Sequence, residues 1–188
     1  MFITRSFFAA IFMAILVSSR IVNAFESEMN EEQIAAAIGY GKKHKGMDVF
    51  KGTVIKNACF GKYPELDSGL IMSKYIELAI VSAMNAVKEK ETTADDINEI
   101  QSADFFKVIV LVLEEGIQTP GGVQITLKQG LNNILPQKTE FGRKHKDGKQ
   151  SVIGVFRYDK IDTYAKTEVI IKTRGREKTY KIDFSVIK

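Results

Sequence analysis

Phe105-Phe-Lys-Val-Ile-Val-Leu-Val-Leu113 decides how the chain is read. Apart from Lys107 the stretch is apolar, and it is rich in β-branched side chains. Such a short run reads as a central strand buried on both faces. A short buried helix is the competing reading, because periodicity alone does not separate the two.

Downstream the period is two. Val123, Ile125 and Leu127 alternate with Gln124, Thr126 and Lys128, the mark of a half-buried strand. Thr119-Pro-Gly-Gly122 before it is a turn, and Gly130 to Pro136 after it reads as loop. Thr139 to Lys144 reads as an edge strand, and the Asp147-Gly148 pair as the turn into the next one. Val152, Gly154, Phe156 and Tyr158 share a face of that strand, and Glu168 to Thr173 turns Val169 and Ile171 inward. After a turn at Arg174-Gly175-Arg176, Tyr180, Ile182, Phe184 and Val186 alternate with polar residues, which predicts a final strand.

Upstream the signals are helical. Asn30 precedes Glu31 and Glu32 and a run of helix formers, so it caps a helix expected to stop at Gly39 and Gly41. Met47 to Ile55 reads as a short extended stretch. Ser68 to Lys90 reads as one long helix, apolar on most sides and so covered by other elements. Thr93-Ala-Asp-Asp96 has the capping-box layout and opens a further short helix. Helices before strands give an α+β fold, with about six strands in a mainly antiparallel sheet or sandwich. The expected divisions are a mainly helical part over residues 25–103 and a mainly β part over 104–188, with room for both to form one compact unit.

Residues 1–24 are read as a cleaved secretory signal. Arg5 precedes an unbroken apolar run of 11 residues, Phe7 to Val17, and small residues follow it. Val22 and Ala24 occupy the −3 and −1 positions of a cut after Ala24. The run is too short for a bilayer, which needs about 20 apolar residues. The mature chain of 164 residues is long enough to bury a core without metal or disulfide. The expected destination is the periplasm or the extracellular space. The single cysteine, Cys59, is expected to be buried and inert, since free cysteine is among the most buried residue types.

Charge is polarised along the chain. Residues 25–137 carry 11 basic and 16 acidic side chains, residues 138–188 carry 14 basic and 7 acidic. The basic residues gather as Lys42-Lys43-His44-Lys45, as Arg143-Lys144-His145-Lys146, and as Arg174 and Arg176 with Lys178. These clusters are the candidate anion-binding residues, set against the plainer reading of solvated turns. A mature charge of only +2 and the export signal argue against nucleic acid.

Catalytic signals are thin. The only two histidines, His44 and His145, lie a hundred residues apart and among cations, which disfavours a metal. No Gly-x-Ser-x-Gly elbow is present, and Gly39 to Gly46 lacks the Gly-Lys-Ser/Thr ending of a phosphate loop. Asp95-Asp96 is explained by capping, and Glu114-Glu115 closes a strand before a turn. No cofactor is expected. By elimination the chain reads as an exported, non-catalytic cell-envelope binding or assembly module, with another envelope protein or an anionic surface as partner. The alternatives are a binder of anionic lipid or acidic polymer through the basic loops, and an exported hydrolase whose site is assembled from distant residues. Intact-mass spectrometry of the native protein is expected to place its N-terminus at Phe25, and a full-length chain held in the membrane fraction would contradict the cut.

Overall fold

The computed structural model describes residues 25, 27–113, 122–145 and 147–188. The leader, the Thr119-Pro-Gly turn, the Glu114-Glu115 pair and Lys146 lie outside the described residues.

Phe105–Leu113 is a strand, β3, in the middle of a five-stranded antiparallel sheet. Its neighbours are β2 (Ser68–Met72) and β7 (Lys149–Arg157), and the edges are β1 (Cys59–Phe60) and β6 (Lys138–Lys144). A second sheet has the order β5 (Asn132–Ile134), β4 (Val123–Gln129), β8 (Thr167–Thr173), β9 (Arg176–Ile182). The two inner faces share one core. Phe106, Val108, Val110 and Val112 of β3 meet Val123, Ile125, Leu127, Val169 and Ile171 of the second sheet. The fold is α+β, and its sheets form a sandwich. The outer face of β3 is only half-buried at Phe105, Lys107 and Ile109. Helix α3 (Lys74–Val87) lies over it, with Lys107 paired to Glu77. The strand therefore has one dry face rather than two.

The helices stack beyond that face. α1 (Glu31–Lys43) and α4 (Ala94–Ser102) flank α3, and Ala37, Tyr75, Leu78, Ala79 and Ile100 form their shared core. Both expected caps are formed. Asn30 and Gln33 exchange side-chain and backbone bonds, and Thr93 and Asp96 do the same. No helix among the described residues is long and apolar enough to cross a membrane.

Five expectations need correction. The Ser68–Lys90 segment is not one helix: Ser68–Met72 pairs with β3, and Ser73 then caps α3 by accepting from the Ile76 N–H. The apolar run suits either state, and the unpaired edge of β3 decides for the strand. α1 does not stop at Gly39 but continues to Lys43. Gly41 sits at the crossing with α3, where a Cβ would come within 2.7 Å of Ser82 Cβ and 2.8 Å of Ala83 N. Its role is close approach, not termination.

Met47 to Ile55 is not extended. It forms a 3-10 turn over Gly46–Lys51, which buries Val49, and a short helix α2 (Thr53–Asn57), which buries Ile55. Within the expected loop at 130–136, Asn132–Ile134 folds back on β4. Gly130, at φ +59°, supplies the positive φ of that two-residue hairpin.

The last strand ends at Ile182, and Phe184–Val186 is a 3-10 turn capped by Asp183. Phe184 is buried while Val186 is 51% exposed, so the four alternating residues do not share a face. Leaving the sheet early lets Phe184 turn into a ring cluster with Phe25, 4.4 Å between centroids, and Phe106, 5.8 Å. Seven strands follow residue 104, in keeping with the expected count of about six, and β1 and β2 join them from the N-terminal part.

Phe184→Ala removes one fully buried ring from that cluster and is expected to cost about 3–5 kcal/mol. Asp183→Ala removes only the cap of an exposed turn and is expected to cost about 1 kcal/mol. Urea midpoints of the two variants check the contrast, and equal small shifts would place Phe184 outside the core.

Candidate functional site

Antiparallel register collects particular turns at one end of the sandwich. β3 finishes at Leu113 opposite Lys149 of β7, and β4 begins at Val123 opposite Thr173 of β8. The β6–β7 turn and the β8–β9 turn therefore lie at the same end. Gly148 (φ +75°) and Gly175 (φ +79°) make these turns, as the sequence predicts for both. A small cleft of about 220 Å³ joins Arg174, Arg176 and Thr173 to Leu113 and Asp67.

A larger cleft of about 640 Å³ lies beside it. Its apolar lining includes Met47 and Phe50 of the 3-10 turn, Cys59 of β1, Tyr63 and Leu111. Lys56, Lys62, His145, Asp147, Lys149 and Ser151 supply its polar positions. The loop between β1 and β2 borders both clefts, with Tyr63 and Pro64 in one and Leu66 and Asp67 in the other. The second sheet ties that loop down: the Tyr180 hydroxyl donates to the Asp67 carbonyl at 2.6 Å, and Lys178 pairs with the Asp67 carboxylate at 3.0 Å.

The predicted basic residues are distributed as follows. His145 lines the larger cleft, and its backbone closes the turn by donating to Lys149 and accepting from Gly148. Arg143 and Lys144 are the last residues of β6, next to a bulge that follows Phe141. Arg174 and Arg176 line the smaller cleft. Lys42 and Lys43 sit in the last turn of α1, where cations complement the helix dipole, and neither lines either of these two clefts. Lys42 reaches Glu91 at 3.7 Å, and the His44 ring packs on Tyr40 at 4.6 Å. Lys45 precedes the 3-10 turn and so leads into Met47 at the cleft. His145 of one cluster and Arg174 and Arg176 of another thus line neighbouring clefts, and the remaining cluster borders them only through the chain.

Electrostatics give the larger cleft a cationic rim. Asp147 is held below the usual carboxylate range, chiefly by the Lys149 side-chain hydrogen bond, and their atoms are 2.9 Å apart. Lys56, in α2, and Lys62, in the β1–β2 loop, add charge that the sequence reading missed, because isolated lysines give no pattern. The Gly61-Lys-Tyr-Pro64 turn was the available signal.

Cys59 is half-buried in the cleft wall rather than fully buried. Its thiol donates to the Ile55 carbonyl at 3.3 Å, and burial pushes its pKa up to about 11. A thiol held in this way is a poor nucleophile at neutral pH. Among the described residues no group of three or more His, Cys, Asp or Glu side chains is arranged to hold a metal ion. The cleft offers an apolar floor, cations at its mouth and a thiol that stays protonated.

No family model matches the chain, and neither the curated proteins nor the solved structures contain a match to it.

Thiol labelling of the native protein is expected to be slow at pH 8, where a pKa of about 11 leaves about one thiolate in a thousand. The rate should climb towards pH 11 and jump on denaturation. Fast labelling of folded protein at pH 8 would show an activated thiol.

Proposed function

We propose that the protein is an exported, non-catalytic cell-envelope module that docks on an anionic membrane surface through the basic end of its sandwich. The observation that carries this reading is the meeting of the His145 turn and the Arg174–Arg176 turn at one end, along two neighbouring clefts. Polybasic segments are drawn to anionic lipid by about 1 kcal/mol per cation at the surface.

Exposed apolar side chains favour lipid over an acidic polymer. Met47 is 71% exposed and Leu113 is 41% exposed, both at this end. Cations beside exposed apolar groups suit the headgroup boundary, where one part is solvated by charge and the other by acyl chain. Residues 1–24 supply the route of export under the same reading.

The hydrolase alternative meets one favourable fact, that Cys59, His145 and Asp147 line the same cleft. The chemistry of these groups favours it less than the binding reading. The thiol is bonded to a backbone carbonyl, its pKa is raised, and Asp147 is engaged by Lys149.

Sedimentation with vesicles tests the proposal. The mature protein is expected to pellet with phosphatidylcholine vesicles that contain about one-third phosphatidylglycerol, and not with phosphatidylcholine alone. Raising salt to about 0.5 M should release it. Arg174→Glu with Arg176→Glu should weaken binding at least about tenfold. Equal binding to both vesicles, or retention on an acidic polymer without vesicle binding, would set the membrane reading aside.

A further inference from the structure

We propose that the larger cleft binds a single-chain anionic amphiphile, with its acyl tail on the apolar floor and its head group on the cationic rim. The inference rests on the reading of the basic end as the contact surface, and it names what that end takes up.

The floor and rim differ in chemistry. Phe50 and Tyr63 are half-buried against the main core, and Leu111 is buried at 4% exposure. They present a fixed apolar surface at the bottom of the cleft. Met47, on the 3-10 turn, forms a flexible lip, and an unbranched thioether adapts to an irregular apolar ligand. Leaving so large an apolar side chain 71% exposed costs nothing to the fold but gains contact only when something covers it.

The rim selects charge. Among the described residues neither Lys56 nor Lys62 is in an ion pair, and both side chains are exposed at the cleft mouth. His145 and the Asp147–Lys149 pair complete the border. The combined charge is positive, so a carboxylate or phosphate head is complementary and an ammonium head is repelled. The volume, about 640 Å³, falls within the range of sites that enclose small ligands. An acidic glycan or polyphosphate would satisfy the rim and leave the floor wet. A tail satisfies both.

The test is a fluorescence titration of the mature protein with a dansyl-labelled undecanoic acid. Binding should raise and blue-shift the emission. Palmitate and dodecyl phosphate should displace the probe, whereas acetate and dodecanol should not. Met47→Glu and Lys62→Glu alter exposed side chains, so each should fold like the native protein by its melting curve. Each should weaken the probe by about five- to tenfold.

Displacement by dodecanol as strong as by dodecyl phosphate would remove the rim from the proposal and overturn it. Native affinity in both variants would place the ligand elsewhere and overturn it. Vesicle binding without probe binding would overturn the amphiphile and leave the membrane reading standing. Loss of both would remove both. Probe binding without vesicle binding would support the cleft and end the membrane reading.

Discussion

The structure depends on a junction at Ser73 and Lys74, where β2 becomes α3. Lys74 is nearly fully buried, and its ammonium donates to the Ser27 and Gln101 carbonyls and lies 5.8 Å from the Tyr158 ring centroid. Burial lowers its pKa, and the charges of Glu28 and Asp104 oppose that shift. A cation removed from water persists only where other dipoles replace the lost hydration. Here those dipoles are the carbonyls of the N-terminal segment and of the end of α4. One residue earlier, the Ser73 hydroxyl donates to the carbonyl of Lys188. Both ends of the described chain are thereby fastened to adjacent residues. Phe25 follows from this. With Ser27 held, its ring enters the cluster of Phe106, Tyr158 and Phe184 and lies 4.9 Å from Phe106. The residue expected to begin the mature chain is part of the core.

The sandwich is closed on one side only. There, β9 reaches across to the β1–β2 loop through Tyr180 and Lys178, and the Tyr180 ring lies 5.4 Å from that of Phe60. The other side ends in the edges of β5 and β6, joined in sequence by a short connection. β6 carries Lys138, Glu140, Arg143 and Lys144 and has a register shift after Phe141. Charge and a bulge on an edge strand oppose pairing with a second chain. Phe141 is 57% exposed there, but antiparallel self-pairing about it would set Lys138 against Lys144. The open side is guarded, and the end of the sandwich is the surface better suited to contact.

The parts of this structure that were legible in the sequence are those determined locally. Asn30 and Thr93 cap because their own side chains reach N–H groups three residues on. Gly148 and Gly175 turn because they carry positive φ. Val123, Ile125 and Leu127 alternate because one face is wet. The misread parts are those settled by distant partners. Ser68–Met72 becomes strand only because β3 offers an edge, and Gly41 stays helical only because α3 crosses it. The site divides the same way. His145 and Arg174 announced themselves as turn residues in basic clusters. Met47, Phe50, Lys56 and Lys62 belong to the site only because the 3-10 turn and the β1–β2 loop fold beside the β6–β7 turn. The charge split at residue 138 misleads in one respect. Lys166 and Lys181 line a cleft at the opposite end, with Glu168 and Asp183 beside them. Basic composition in the second half is therefore not one surface.

That separation has a mechanical meaning. Phe106 lies in the ring cluster beside the chain ends, and Leu113 lies at the basic end. Seven residue steps of one strand divide them, roughly 23 Å at the rise of a β-strand. Energetic coupling between sites so far apart and without shared partners is small. Lys74, Ser73 and the rings fasten the two ends of the described chain, Ser27 with Phe25 and Lys188, to one region of the fold. Under the proposed reading, contact with a ligand falls on turns whose side chains contribute little to the core, such as Met47, Lys62, Arg174 and Arg176. A sandwich arranged in this way tolerates changes in its basic turns without loosening its fold. The physical demands of folding do not explain why cations and an exposed methionine gather at that end. Placing them there leaves hydrated charge and uncovered apolar surface side by side, an arrangement that gains free energy only when an anionic, partly apolar surface or molecule meets it.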